Sequence, residues 1–406
     1  MNTLYASDKF KKEFTDYLSC VREENKQLRI ETHGNAAILP FHNFSHSGSP
    51  KALHSGGVFD NNGNLIDLSK TRVAKDIVIT GHPERYDINQ NIKYHDEKVI
   101  YLGNFSPHFG HFLLEAMSRL WIYLDDNFSN IKAVYTGQND VYFTEILEIF
   151  GLKKKNISRV KTLAGYKSVI IPEQSNLTYE PLWHKKYKET FDKIRDNSVG
   201  YSYDKIYLSR KKFQKRNSKV CGEYEIEEMF KNNGFKIIYP EQISIREQIG
   251  LMKNCKHLAG VQGTALHLSL FAQDNIDLTV IHRGQDDFNG DIFPLQIKIN
   301  EMKKIKNTSV EAAVDFLKPF PFGAVHAISI RNKYMKEFMR DMQYQWVDTV
   351  ENPATFEQYI GTEEYKQIKH TIKILKKIRE RMIVLLTNFI FIKSLRKKIR
   401  YKFISS

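Results

Sequence analysis

The 406-residue sequence holds three cysteines, Cys20, Cys221 and Cys255, far apart and odd in number. That excludes a disulfide framework and a cysteine-based metal finger, and it fits a reducing compartment. No stretch reaches the roughly 18 apolar residues needed to span a bilayer. The opening Met1-Asn2-Thr3-Leu4-Tyr5 lacks a basic patch followed by an apolar run, so no secretory leader is expected. There is no fixed-period repeat and no low-complexity tract. Asp-x-Asp is absent throughout; Asp125-Asp126 and Asp286-Asp287 are adjacent pairs whose side chains diverge. No His/Cys cluster has ligand spacing either, so no metal and no cofactor is expected.

What the chain has in excess is positive charge, +14 overall. Its distribution argues against nucleic acid as the partner. Residues 366 to 402 hold thirteen Lys or Arg against one acid, Glu380, which leaves the rest of the chain near neutral. Between the basic blocks lie Met382-Ile383-Val384-Leu385-Leu386 and Phe389-Ile390-Phe391-Ile392. Apolar residues flanked by cations suit a helix lying on an anionic membrane surface, and the plain alternative is a solvated basic helix packed on the body.

Length sets an expectation of two domains of roughly 150–200 residues each. The first 100 residues read as a mixed, hairpin-rich opening, with a turn at Asn61-Asn62-Gly63-Asn64. From Val99 the pattern alternates: strand 99–102, helix His111 to Leu124, strand 133–135, helix 141–150, strand 169–172. The clearest stretch is 204–281. Strands at 206–208, 235–239, 257–259 and 278–281 alternate with helices at 223–231, from Ser244, and at 264–272. That pattern predicts a parallel sheet with helices on both faces. A linker is expected near 190–204, where Asp196-Asn197-Ser198-Val199-Gly200 breaks the periodicity.

Three clusters carry chemistry. Gly260-Val261-Gln262-Gly263-Thr264-Ala265-Leu266 lies between a strand and a helix. Its glycines permit close backbone approach, and free N–H groups at the helix start suit a diphosphate. The plain alternative is a packing turn. Ser209-Arg210-Lys211-Lys212 with Lys215-Arg216 follows another strand of the same sheet. Arg presents a planar fork to phosphate oxygens, and the alternative is a solvated basic loop. Both loops follow parallel strands, so they open on one edge. Finally, His111 and Glu115 are four apart in Phe109-Gly110-His111-Phe112-Leu113-Leu114-Glu115, hence on one helix face. Either could take a proton from a hydroxyl, and a surface His and Glu on an amphipathic helix is the alternative.

Taken in order, these motifs resemble glycosyltransferase family 61. They are His111-Phe112-Leu113-Leu114-Glu115, Tyr207-Leu208-Ser209-Arg210, Glu223 to Glu228, Gly234-Phe235 to Pro240, Ser244 to Gln248, and Gly260 to Leu266. The resemblance covers about residues 55–285 and points to the bacterial branch labelled capsular polysaccharide biosynthesis protein. It implies an α/β fold of two facing Rossmann-like domains (GT-B type), an inverting enzyme, and a UDP-sugar donor held mainly by the second domain. It implies donor-binding roles for Arg210 and the Gly260–Leu266 loop, Gln262, Gly263, Thr264 and Ala265 included, with His111 and Glu115 at the cleft; Arg216 and Gln248 are expected to join the donor site. Two departures stand out. Relatives commonly have Asn-Glu where this chain has Gly222-Glu223, and His-Gly-Ala where it has Gln262-Gly263-Thr264.

The expected organisation is therefore an acceptor-side α/β domain over 1–200, a nucleotide-sugar-binding Rossmann-like domain over 201–345, and a basic helical tail over 346–406. The expected partners are a nucleotide sugar, a glycan acceptor, lipid-linked or free, and the inner face of the cytoplasmic membrane through 366–402. Competing readings are a pyruvyl or phospho-sugar transferase on the same fold, a nucleic-acid binder using the tail, and a scaffold that has lost activity.

Overall fold

The computed structural model describes residues 2–41, 54–83, 85–87, 92–106, 108–137, 141–212, 218–284, 292–317 and 324–346, with His370 and Ile374. Arg216, Asp286-Asp287 and nearly all of the expected tail, with all of 366–402 except His370 and Ile374, lie outside these residues.

The chain begins in the second of its two large sheets. Strand β1 (Thr3–Tyr5) pairs in parallel with Thr308–Val310. Helix α1 (Asp8–Cys20) follows, with the Ser7 hydroxyl accepting from Phe10 N and with Phe10 and Phe14 buried. This corrects the expected boundaries: residues 3–20 belong with the second sheet and not with a first unit spanning 1–200.

The first sheet comprises β2 (Ile30–Leu39), β3 (Gly57–Phe59), β4 (Tyr94–Phe105), β5 (Lys132–Gly137), β6 (Ile157–Arg159) and β7 (Ala164–Pro172), in the order β6-β5-β4-β7-β2-β3. The first four of that order run parallel, and β2 and β3 are antiparallel additions. Alternation along β4 explains its burial. Val99 and Tyr101 enter one apolar cluster, while Ile100 and Leu102 enter the other. Helix α2 (Phe109–Leu114) leaves β4, and α3 (Val141–Phe150) follows β5.

Helix α4 (Lys185–Asn197) occupies the place where a linker was expected. Its polar composition hides an apolar face of Tyr187, Phe191 and Ile194, all buried. Phe191 meets Phe271 of the second unit edge-on, with ring centroids 5.1 Å apart. The extended link is therefore only the few residues after α4.

The second sheet holds β8 (Lys205–Leu208), β9 (Lys236–Ile238), β10 (His257–Val261), β11 (Asp277–His282) and β12 (Lys306–Glu311), with β1 at its edge, in the order β1-β12-β11-β10-β8-β9, all parallel. Its helices are α5 (Glu223–Asn232), α6 (Ile245–Asn254), α7 (Pro294–Met302) and α8 (Lys333–Asp341). Ile206, Leu258 and Leu278 face the core shared with the first unit, while Tyr207, Ala259 and Ile281 face a separate cluster with Phe230 and Phe338. Helices thus cover both faces, as the alternating pattern predicted. The capping box at Ser244 and Glu247 forms. The stretch Thr264–Phe271 is a 3-10 helix rather than an α-helix.

Candidate active site

Parallel α/β sheets bind ligands at the carboxyl ends of the two strands from which the chain departs in opposite directions. In the second sheet these are β8 and β10, since β9 lies beyond one and β11 beyond the other. Their exit loops are Ser209-Arg210-Lys211 and Gln262-Gly263-Thr264, and the two meet. The Arg210 guanidinium lies directly on Gly263, where a Cβ would collide with its Nη1. The Gly263 backbone is extended at φ 162°, so glycine is required there by the close approach and not by strain.

Two buried carboxylates on α5 fix the Arg210 loop. Glu223 Oε1 accepts from Arg210 N at 2.8 Å and from the Tyr207 hydroxyl at 3.2 Å. Burial pushes the Glu223 carboxyl up to about 7, against the pull of Arg210. Glu227 accepts from the Ser209 hydroxyl at 2.6 Å and the Tyr239 hydroxyl at 3.0 Å. Burial also lowers the pKa of the Arg210 guanidinium from its ordinary value.

The same edge carries two residues that the motif reading missed. Arg283 follows β11 immediately and donates its backbone N–H to Gln262 Oε1 at 3.3 Å. The His326 ring donates from Nδ1 to Arg283 O at 3.3 Å. Burial, with Arg283 and Arg210 nearby, drives His326 down to about 3, so it is neutral. Arg283 had a sequence signal, an Arg-Gly pair ending a strand of this sheet. His326 is brought in from strand Ala324–Ile328 and had none.

In the first sheet the chain leaves β4 toward β5 and β6 on one side, and leaves β7 for the second unit. The chain leaving β4 forms α2, anchored by Phe112, which stacks on Phe143 at 4.1 Å and meets Phe105 edge-on at 5.5 Å. The predicted helix to Leu124 does not run through. It breaks at Glu115 (φ −114°, ψ −58°) and continues as a 3-10 stretch, Ala116–Leu124. His111 Nδ1 donates to Glu115 Oε1 at 2.6 Å, and the Thr178 hydroxyl donates to the same oxygen at 3.3 Å. Glu115 is 4% exposed, whereas the His111 side chain is 38% exposed. The bond to Glu115 raises the His111 pKa, with burial opposing. The His108 ring meets His111 edge-on at 5.0 Å.

The two halves touch at this point. A Cβ on Gly110 would sit 2.7 Å from Thr264 Cγ2. Arg210, Gly263, Thr264, Gly110 and His111 therefore form one continuous line across the junction. Thr264 and Ala265 are half-buried beside it.

Two expected donor-binding side chains are otherwise occupied. Gln248 Nε2 donates to Pro240 O at 2.8 Å and Ile243 O at 3.2 Å, closing the turn between β9 and α6. Gln262 is 2% exposed and braces Arg283 N and Ile292 O. Both shape the site through backbone they hold.

A cavity of about 210 Å³ lies where the chain leaves β7, lined by Arg119, Glu173, Asn176 and Trp183 among others. Asn176 forms part of its wall while donating to Leu114 O at 2.8 Å, one residue from Glu115. Asn176 Oδ1 and the Trp183 indole N–H are buried there without hydrogen-bond partners among the described residues. The fully buried Arg119 donates to the carbonyls of Leu68, Lys70 and Pro172 and so closes another wall. Among the described residues no group of three His, Cys, Asp or Glu could hold a metal ion, and no helix is long and apolar enough to cross a membrane.

Residues 109–281 match the family model described as Glycosyltransferase 61. The chain is accordingly a glycosyltransferase. Within that class the matched stretch, which runs from the start of α2 almost to the end of β11, supports family 61. No curated protein matches the chain.

Proposed function

We propose that this protein is an inverting, metal-independent glycosyltransferase that moves a sugar from a UDP-sugar to a hydroxyl of a surface glycan, capsule or lipopolysaccharide. In this reading the two sheets are the Rossmann-like halves of a GT-B arrangement, with the donor on the second and the acceptor on the first. The observation that carries it is the contact line from Arg210 through Gly263 and Thr264 to Gly110 and His111.

Each element of that line has a task. Arg210, Arg283 and the N–H groups at Gly263-Thr264 meet the diphosphate in a partly desolvated crevice, where a preorganised donor is worth most. Arg216, on the same loop as Arg210, is assigned with them from sequence alone. His111 is the base and Glu115 its orienting partner. With Nδ1 held by the buried carboxylate, Nε2 is the ring nitrogen left to face an acceptor hydroxyl. As the acceptor oxygen bonds to the anomeric carbon, the bond from that carbon to the diphosphate oxygen breaks. Its electron pair leaves with the nucleotide, and the hydroxyl proton passes to His111 Nε2. The cavity beyond β7, with polar and charged side chains and the Trp183 indole in its wall, suits further sugars of the acceptor. The 366–402 stretch is proposed to hold the enzyme on the inner face of the cytoplasmic membrane, where lipid-linked acceptors are presented.

Calorimetry with a panel of nucleotide sugars tests the donor reading, and Arg210→Ala is expected to lose binding. His111→Ala is expected to retain donor binding while transfer falls about 10²–10⁴-fold, the usual worth of a general base. No uptake of any nucleotide sugar by the intact protein would sink the proposal. Deleting 366–406 is expected to move the protein from the membrane to the soluble fraction.

A further inference from the structure

We propose that Lys298, on helix α7 of the second unit, is a positioning residue for the His111–Glu115 pair of the first. The inference deepens the reading of His111 as base and rests on it.

Lys298 is 2% exposed, and its ammonium donates to three main-chain oxygens, Leu177 at 2.8 Å, Thr178 at 3.1 Å and Glu180 at 3.0 Å. No carboxylate pairs with it among the described residues. Burial lowers the Lys298 amine to about 7, with Glu180 opposing, and a buried amine without a paired carboxylate is an expensive way to fill a core position that Leu or Met would fill better. What it does achieve is to fix the path of residues 177–180. That segment carries Thr178, whose hydroxyl donates to Glu115 Oε1. Just before it, Asn176 donates to Leu114 O and Ser175 to Ser118 O at 2.7 Å, so residues 175–178 lie along the chain flanking Glu115.

The connection is continuous: ammonium of Lys298, carbonyl and hydroxyl of Thr178, carboxylate of Glu115, ring of His111. Helix α7 also holds the other side of the site. Gln296, two residues earlier, accepts from His267 Nδ1 at 3.0 Å and donates to the Ser269 hydroxyl at 2.9 Å, in the 3-10 stretch that begins at Thr264. One helix of the donor-side unit thus braces the diphosphate loop and the acceptor-side base together. The base takes its working orientation only when the two units are seated on each other.

The groups facing His111 are Glu115 on its own helix, His108 from the preceding loop, and the neutral, buried His267, which burial lowers to about 4. The charge of Lys298 bears on His267, while the raised pKa of His111 comes from the Glu115 bond first. The sign of the effect therefore separates two roles. Removing a cation and nothing else leaves the His111 titration midpoint unchanged or raises it. Releasing Thr178 and loosening Glu115 lowers it toward the ordinary value.

The test is the His111 ring titration by NMR in the full chain, assigned with His111→Ala. In Lys298→Met the midpoint is expected to fall, and with a UDP-sugar the protein turns over, kcat is expected to drop about 10²-fold with KM nearly constant. Thr178→Val, which leaves the three Lys298 bonds to main-chain oxygens in place, is expected to lower the same midpoint. An unchanged or raised midpoint in Lys298→Met overturns the proposal. Should Lys298→Met not fold, an unchanged midpoint in Thr178→Val does so. Failure of the base reading is seen separately, as full activity in His111→Ala, since the titration is read without turnover.

Discussion

Gly263 has a backbone that any residue could adopt, so its identity is set by Arg210 lying across it. Gly263→Ala is expected to push the guanidinium aside and weaken nucleotide-sugar binding tenfold or more, about 1.4 kcal/mol, with little change in melting temperature. Calorimetry beside a thermal melt separates the two. Gly222 is a different case. It caps α5 at φ 88°, the left-handed region, with the Ile328 carbonyl against its α-carbon. Asn also tolerates that region, but any Cβ at this position would run into the Ile328 carbonyl, so this backbone takes glycine where similar sequences have the Asn of Asn-Glu. The glutamate beside it titrates in a revealing direction. Its folded pKa is raised from 4.5 to about 7, so between these values the folded state holds a proton the unfolded chain releases. Stability from this group is present below 4.5 and is lost as pH rises toward 7. Glu223→Gln is expected to flatten that part of the pH–stability curve, as read from urea midpoints.

Helix α2 has only six residues and no side-chain cap, so packing must hold it. Phe112→Ala is expected to destabilise the protein by about 3–5 kcal/mol, measured by denaturant unfolding. Gly110→Ala is expected to act differently. It forces α2 away from Thr264 and should lower transfer more than stability. The strands and helices of 204–281 were legible because apolar residues recur at clean periods and Gly, Pro and Ser mark the ends. So were the two loops that meet at Arg210 and Gly263, since strand order alone sends both to one edge. The break at Glu115 was not legible, because the apolar spacing of 111–124 fits an unbroken helix and the turn is imposed by the Thr178 segment and Arg119. Helix α4 was hidden by its lysines and acids, which form a network once folded. Asp192 takes Lys188 at 2.7 Å, Arg195 at 2.6 Å and the fully buried Lys303 at 2.6 Å. Gln248 looked like a ligand-binding amide for want of any sign that two carbonyls nearby would claim it.

Across the molecule, burial keeps four histidines neutral: His257 and His267 fall to about 4, and His282 and His326 to about 3, from 6.5. Below pH 6.5 the unfolded chain binds protons that the folded chain refuses, so stability is lost as pH falls toward 4. The slope is about 1.4 kcal/mol per pH unit for each histidine. Urea midpoints are expected to drop steeply between pH 6.5 and 5, and a flat profile there would contradict the burial of these rings. A last consequence follows from β1, which completes the edge of the second sheet beside β12. Thr3–Tyr5 are synthesised well before Lys306–Glu311, the strand they pair with, so β1 waits without its sheet until the rest of the second sheet has been made. A separately expressed second half, lacking residues 3–20, would leave β12 as a bare, sticky margin prone to self-association.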